Sequence, residues 1–381
     1  MVGSWPRPQV LLRAQKLKRQ GKLTPVEFDK QADAAVLDAL AAQDRAGVDV
    51  VTDGEQRRDN FYSFVAEKLA GIKIMTLAEM LDIIEDKAAF EQILQTLDVP
   101  AYSLSNPTCV GKLERKAPLA VDELRFLRRH TNKPVKIPLP GPYLLARAMF
   151  VREVTRQVYP NKEALAKDVV RILREEIAEL ISHGADFIQL DEPVLTEVVF
   201  TQGKTRTFMC ASLAAGGDPA EELEFAASLV NDVMAGFDRA YTGLHICRGN
   251  WSQDESTLLT GNYSPLKPWL DRLKVKQLVL EYATERAGDP MPFPGHDLGL
   301  GVVNPRTPEV ETPAQVIARV ERALACFEPR QVWLNPDCGF GTFSNSPVNT
   351  APIAEAKMKA ISEAAAQLRK RFLTQTGGNN V

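Results

Sequence analysis

The chain has 381 residues, 45% hydrophobic and 25% charged, with a formal net charge of −3 and a pI near 6.0, the balance of a soluble globular protein able to bury a sizeable core. That charge supplies no basic field for nucleic acid or an anionic membrane surface, and no apolar run of about 18 residues or charged-then-apolar N-terminus points to a membrane span or secretory signal. The expected setting is cytoplasmic, and five scattered cysteines, odd in number, indicate reduced thiols rather than a disulfide framework.

In chain order, strand-like and helix-like segments alternate. Val2-Gly3-Ser4 is a short first strand candidate. Thr24-Pro25-Val26-Glu27 signals a helix start, with Val36, Leu37, Leu40 and Ala41 on one face and Gly47 at its end. Val48 to Asp53 reads as a strand running into the polar loop Gly54 to Asn60. A helical stretch over Leu77 to Leu97 is followed by an excursion from Pro100 to Pro118 that fits no repeat of the layout. From there the pattern is regular. Val135 to Leu139 is a strand ending in Pro140-Gly141-Pro142, Glu163 to Ser182 a helix capped by Gly184, and Phe187 to Leu190 a strand ending at Asp191-Glu192-Pro193. A long loop and a helix over Glu221 to Met234 lead to the strand that ends at His245-Ile246-Cys247. A helix then precedes Gln277 to Glu281, and the strand Leu298 to Val303 follows. A helix over Pro313 to Cys326, the strand Val332 to Asn335 and a helix from Ala351 to Phe372 close the chain.

Eight strand candidates separated by crossover-length helices predict an α/β fold, a (β/α)8 TIM barrel over residues 1–381 with loop insertions at its C-terminal face. In such a barrel the active site forms at the C-terminal ends of the strands. A doubly wound open sheet is the alternative, but its Gly-rich fingerprint is absent, because Gly299-Leu300-Gly301 stops short of it.

The strand ends carry the candidate chemistry. Alternation along a strand puts His245 and Cys247 on one face, although a lone histidine or cysteine is more often a core residue. Glu281 and Cys338 follow the sixth and eighth strand candidates, so a barrel would bring all four to one mouth, a nitrogen, two sulfurs and a carboxylate suited to zinc. Two thiolates and a carboxylate overcompensate Zn²⁺, which blunts its power to acidify water and favours holding an incoming thiolate, the chemistry of alkyl transfer to sulfur rather than hydrolysis. Ser4 and Glu55 lie in turns where solvated polar residues are common. Asp191 and Glu192 follow an apolar strand, and such paired burial calls for a cationic partner. Cys326 reads as core, and Cys109 and Cys210 as loop residues.

Gly3-Ser4-Trp5-Pro6, Asp53-Gly54-Glu55, Gln189 to Pro193, His245-Ile246-Cys247, Leu280-Glu281 and Asn335-Pro336-Asp337-Cys338-Gly339 together resemble, in order, the catalytic half of the cobalamin-independent methionine synthase family. The likeness is to short, single-barrel forms without the duplicated N-terminal half. It implies a methyltransferase that converts homocysteine to methionine, with zinc held by His245, Cys247, Glu281 and Cys338 and the substrate sulfur as a further ligand. Of these, Cys247, Glu281 and Cys338 are also the expected catalytic residues. It further implies that Glu55 and Asp191 receive the amino group of homocysteine and that the backbone around Ser4 holds its carboxylate.

Two departures concern the methyl donor. Where the long-form family offers an aromatic surface for a pteridine, this chain has Ala148-Met149, and where that family has an Asp-x-His pair it has Asn304-Pro305-Arg306. Trp251 is an alternative stacking residue. The donor therefore stays open between a methyltetrahydrofolate and a methylated corrinoid, free or on a donor protein. Alkylation of another thiol such as coenzyme M, and a metal-free binding or decarboxylating barrel, are the competing readings.

Overall fold

The computed structural model describes residues 1–83, 105–200, 218–250, 253, 258–344 and 347–372. Eight strands form, but not the expected eight. Strands β1 (Leu69–Thr76) and β2 (Ser105–Arg115) pair antiparallel as a separate two-stranded sheet. Strands β3 (Lys136–Pro140), β4 (Phe187–Asp191), β5 (Tyr241–Ile246), β6 (Gln277–Leu280), β7 (Asp297–Val303) and β8 (Val332–Pro336) form one parallel sheet in sequential order. The excursion after Pro100 thus contains a strand, which holds Cys109 buried instead of in a loop.

The six parallel strands were legible because every residue of β3, β4 and β6 is buried, as a sheet covered on both faces requires. Their helices start on signals the sequence carries. Thr24 and Thr312 form capping boxes with Glu27 and Gln315, and Asn161 and Asp218 cap Lys162–Ser182 and Pro219–Met234. The helix Pro25–Arg45 buries Ala32, Ala35, Val36, Ala39 and Gln43, so Leu37, 39% exposed, lies on its solvent side and not on the predicted face. The helix Leu77–Ile83 begins where expected; its predicted continuation to Leu97 lies outside the described residues, as do Cys210 and Trp251. The helix Val194–Phe200 stands where a loop was predicted.

The sheet does not close by hydrogen bonds into an eight-stranded barrel. It curls, since Phe187 of β4 and Tyr241 of β5 meet Trp333 of β8, with ring centroids 6.3 and 4.9 Å apart. Two non-ladder segments occupy the space between β8 and β3. Val51 makes a single bridge to Val135, its N–H donating to Pro134 O and its carbonyl accepting from Lys136 N, each at 2.9 Å. Residues 2–4 are tied by other bonds: Thr52 Oγ1 donates to Gly3 O at 2.9 Å, Phe340 N to Ser4 O at 2.9 Å, and Gln189 Nε2 to Val2 O at 3.1 Å. Pro6 and Pro8 follow at once, and a proline offers no N–H to a ladder.

One buried ion pair fixes the loop that carries Glu55. Arg58 donates from Nε and Nη2 to both oxygens of Glu123 at 3.1 and 2.6 Å and from Nη1 to Pro138 O at 2.9 Å, with side-chain exposures of 2% and 7% for the pair. The helix Val121–Arg128 is thereby locked to β3 and to the turn after Val51. Removing one partner strands a buried charge. Glu123→Ala is therefore expected to lower unfolding stability by about 3–5 kcal/mol, read as a drop in the urea midpoint, against less than about 1 kcal/mol for an exposed partner such as Glu355→Ala.

Candidate metal and substrate site

Parallel register assembles the site. Asp191 pairs with His245 across β4 and β5, and the next inward position after His245 is Cys247, just beyond the strand. The loop after β8 brings Cys338. The ligand atoms of His245, Cys247 and Cys338 lie within 4.8 Å of one another, and all three residues are buried. No other such group of histidine, cysteine and acidic residues occurs among the described residues.

The three side chains are also electrostatically matched. His245 Nδ1 meets Asp191 Oδ1 at 3.1 Å, and Nε2 faces Asp337 O at 3.4 Å. Burial opposes charge on the imidazole, but the Asp191 hydrogen bond and the charge of Cys247 outweigh it and raise its pKa to about 9. The hydrogen bond from Cys338 pushes the Cys247 thiol down, while the same contact, with burial, pushes Cys338 well up. The cluster thus favours charge on the imidazole through Asp191 and a thiolate at Cys247 over one at Cys338. One nitrogen and two sulfurs, buried and mutually in reach, fit a zinc ion, which would displace the protons they share.

Glu281 stands beside this group but its carboxylate is engaged elsewhere. Oε1 accepts from the Arg248 backbone N–H at 3.0 Å and from Asn250 Nδ2, and Oε2 lies 3.2 Å from Arg286 Nη2 and 3.5 Å from Arg248 Nη1. Burial pushes its pKa up, yet Arg286 and Arg248 outweigh that and hold it below the ordinary carboxylate range. Three of the four expected ligands are brought together, and the fourth is held at the edge of the site as an anion.

On the other side are the expected substrate residues. Ser4, Glu55, Asp191, His245, Cys247, Asn250 and Cys338 line one cavity of about 40 Å³, room for an ion and a few atoms and not for a ring system. Glu55 is the only non-glycine with positive φ among the described residues, at 52°, a conformation that costs energy and clusters at functional sites. Its Oε2 has no hydrogen-bond partner, and burial raises its pKa to about 7. Ser4 accepts from Gly341 N at Oγ, and a side chain on Gly339 would run into Ser4, so the glycine of the last motif is what lets the two chains touch.

Of the acid pair, only Asp191 meets a cation. Glu192 turns the other way, accepting at its two oxygens from Tyr143 N and Leu144 N at 2.7 and 3.0 Å, the first amides of the helix Pro142–Met149. The predicted cationic partner is therefore replaced by a helix N-terminus. A Cβ on Gly141 would collide with the Glu192 carboxylate, which explains the glycine before Pro142.

The donor side is equally specific. Ala148 and Met149 are fully buried and offer no stacking surface. Arg306 is buried, and its Nε donates to Asn250 Oδ1 at 3.0 Å, the oxygen that also accepts from Arg286 Nη2 at 3.2 Å. Sequence reasoning passed over Arg248, Asn250 and Arg286, although Arg248-Gly249-Asn250, a polar run directly after Cys247, was the available signal.

Comparison with known proteins agrees with this geometry. The family profile described as "Cobalamin-independent synthase, Catalytic domain" matches residues 1–216 and 267–366. Methionine synthases of Sulfurisphaera tokodaii and Pyrococcus abyssi are 30% and 29% identical over 342 and 344 residues, 89% of this chain in both cases and 84% and 85% of theirs. Among solved structures, a B12-independent methionine synthase from Shewanella in complex with selenomethionine superposes with a TM-score of 0.70 at 24% identity, covering 93% of this chain and 92% of its own. A putative vitamin-B12 independent methionine synthase from Listeria monocytogenes gives 0.69 at 20%, covering 96% of each chain. With more than half its length matched by that profile and its strand-end residues drawn together as described, the chain belongs to the cobalamin-independent methionine synthase family.

Proposed function

We propose that the protein methylates the thiol of homocysteine to give methionine, with zinc held by His245, Cys247 and Cys338 and with Glu281 as the ligand completing the set. As a family member it is a methyltransferase. The observation that carries the finer reading is the buried convergence of His245, Cys247 and Cys338 in one cavity with two carboxylates that can face an ammonium. The sequential order of the six parallel strands supports reading the fold as a (β/α)8 barrel with residues 2–4 and 48–53 in place of its first two strands, the latter tied by the single backbone bridge of Val51 to Val135.

His245, Cys247 and Cys338 would hold the zinc, which would supply a lowered pKa for a coordinated thiol while the two sulfur ligands would keep that thiol nucleophilic. The chain's own residues supply orientation. Glu55 and Asp191 take the amino group, the strained Glu55 backbone aims its carboxylate into the cavity, and the Asp191–His245 contact fixes the imidazole. In the overall reaction the thiol loses its proton, a sulfur–carbon bond forms to the methyl group, and the bond from methyl to the donor breaks. The small size of the cavity supports a binding mode with the acceptor's sulfur end inside and the donor approaching from the mouth. Glu55 and Asp191 also favour homocysteine over a sulfonate thiol such as coenzyme M, which has no ammonium to place between them.

Three outcomes are expected. Cys338→Ser should lose both tightly bound zinc and methyl transfer, measured by metal analysis and methionine formation; an active zinc-free variant would exclude the mechanism. Because Glu55 must be ionised to receive an ammonium and its pKa is about 7, homocysteine affinity should fall by up to about tenfold per pH unit below 7. Glu55→Gln should flatten that part of the profile, and 4-mercaptobutyrate, a thiol without the ammonium, should lack it in calorimetric titrations. In a donor screen with homocysteine, methionine should form with either a methyltetrahydrofolate or a methylated corrinoid; failure with both would exclude this donor class.

A further inference from the structure

At the opposite end of the sheet, by the first residues of the strands, lies a cavity of about 430 Å³, within the range of small-molecule sites and far larger than the space beside Cys247. Its walls are mainly apolar. Phe187 and Trp333 contribute from the inner face of the sheet, and Met358, Ile361 and Leu368 from the helix Ala351–Phe372. The methyl-transfer reading makes no use of this end of the molecule.

Three buried side-chain nitrogens belong to this lining, on Lys136, Gln277 and Asn335, residues 4%, 1% and 3% exposed, and the buried Met1 amine beside them, its pKa pushed down to about 4 by burial and by Lys136, is uncharged. Gln277 Nε2 and Asn335 Nδ2 have no hydrogen-bond partner among the described residues. Lys136 Nζ donates to Met1 O and Gln189 Oε1, both at 3.0 Å, and stands 4.3 Å from the Phe187 ring centroid, yet forms no ion pair among the described residues. The carboxylate whose charge reaches it, Asp191, is held behind Gln189, and Asp49 on the cavity rim is paired with Arg369. Burial lowers the Lys136 pKa to about 8, so it is cationic at neutral pH. Water could satisfy the two amides, but an unpaired ammonium in an apolar chamber calls for an anion.

We propose that this cavity binds a small monocarboxylate with an apolar body, its carboxylate facing Lys136, Gln277 and Asn335 and its hydrocarbon lying along Phe187, Trp333 and Leu368. One anionic group suffices, because the amides of Gln277 and Asn335 each keep an unpartnered donor, Lys136 is bonded only to neutral oxygens, and most of the remaining wall is apolar. An amino acid such as methionine is disfavoured, since its ammonium would enter a chamber whose buried side chain already carries a positive charge.

The test is calorimetric titration of the zinc-loaded full chain with sodium octanoate, alongside octan-1-ol, sodium phosphate and methionine. Octanoate should bind saturably at one site, and the alcohol, phosphate and methionine at least about tenfold more weakly. Lys136→Met should weaken octanoate at least about tenfold. Should that variant not fold, Ala365→Trp fills the chamber from the partly exposed side of the last helix, leaves the donors intact, and should abolish binding. Absence of saturable octanoate binding up to about 10 mM, equal affinity for the alcohol, tighter binding of phosphate or methionine than of octanoate, or undiminished binding in Ala365→Trp would overturn the assignment.

Discussion

The structure of the site depends on the in-register pairing of β4 with β5, which sets Asp191 opposite His245. A side-chain period of two means that a slip of β4 by one residue would send Asp191 to the outer face and Glu192 inward, leaving His245 without its carboxylate. Several independent contacts forbid the slip. Glu192 is held outward by the amides of Tyr143 and Leu144, and Gln189 is bonded on one side to Lys136 and on the other to Asp191 at 2.8 Å. The result is a continuous buried line, Lys136 to Gln189 to Asp191 to His245, running along the inner face of the sheet from the cavity at one end to the cysteine pair at the other. Each member orients the next, so the imidazole is positioned by the body of the sheet and not by a loop alone.

That line also explains how much the sequence disclosed. The apolar runs of β3 to β8 and the polar residue ending each run were readable because a doubly covered parallel strand has little freedom in composition. His245, Cys247 and Cys338 could be placed together once strand order was inferred. Residues 2–4 and 48–53 were read as the first two strands, but in the structure they form no ladder beyond the single bridge from Val51 to Val135. They are held by Thr52, Gln189 and the loop at Phe340, long-range contacts that leave no periodic trace. The β1–β2 hairpin was invisible for a related reason: β2 contains Pro107 and Gly111, and a register shift interrupts its pairing near Gly71, so neither strand alternates cleanly.

Glu192 and Glu281 show the limit of reasoning from residue type. Glu192 was read as a buried acid needing a cationic partner and Glu281 as a zinc ligand; both are buried, and each meets positive charge from another source. Glu192 uses the partial charge of backbone amides at a helix start, which requires no particular side chain and so cannot be found by searching for a basic residue. Glu281 uses Arg248 and Arg286 together with Asn250, all in loops whose course the sequence does not fix.

The same loop residues bear on the donor. Asn250 lines the cavity with Cys247 and Cys338, gives its amide hydrogens to Glu281, and receives at its oxygen the guanidinium groups of Arg286 and Arg306. The position that carries Arg306 in place of the long-form family's acid–histidine pair is therefore built into the same network as Glu281, not left on the surface. A donor that needs a proton from a histidine would find a guanidinium there, a group that stays charged and does not give up its proton near neutral pH. The positive charge gathered behind Asn250 has the opposite use. It lowers the energy of an anionic carboxylate at Glu281, where burial pushes the pKa up but Arg286 and Arg248 hold it below the ordinary carboxylate range.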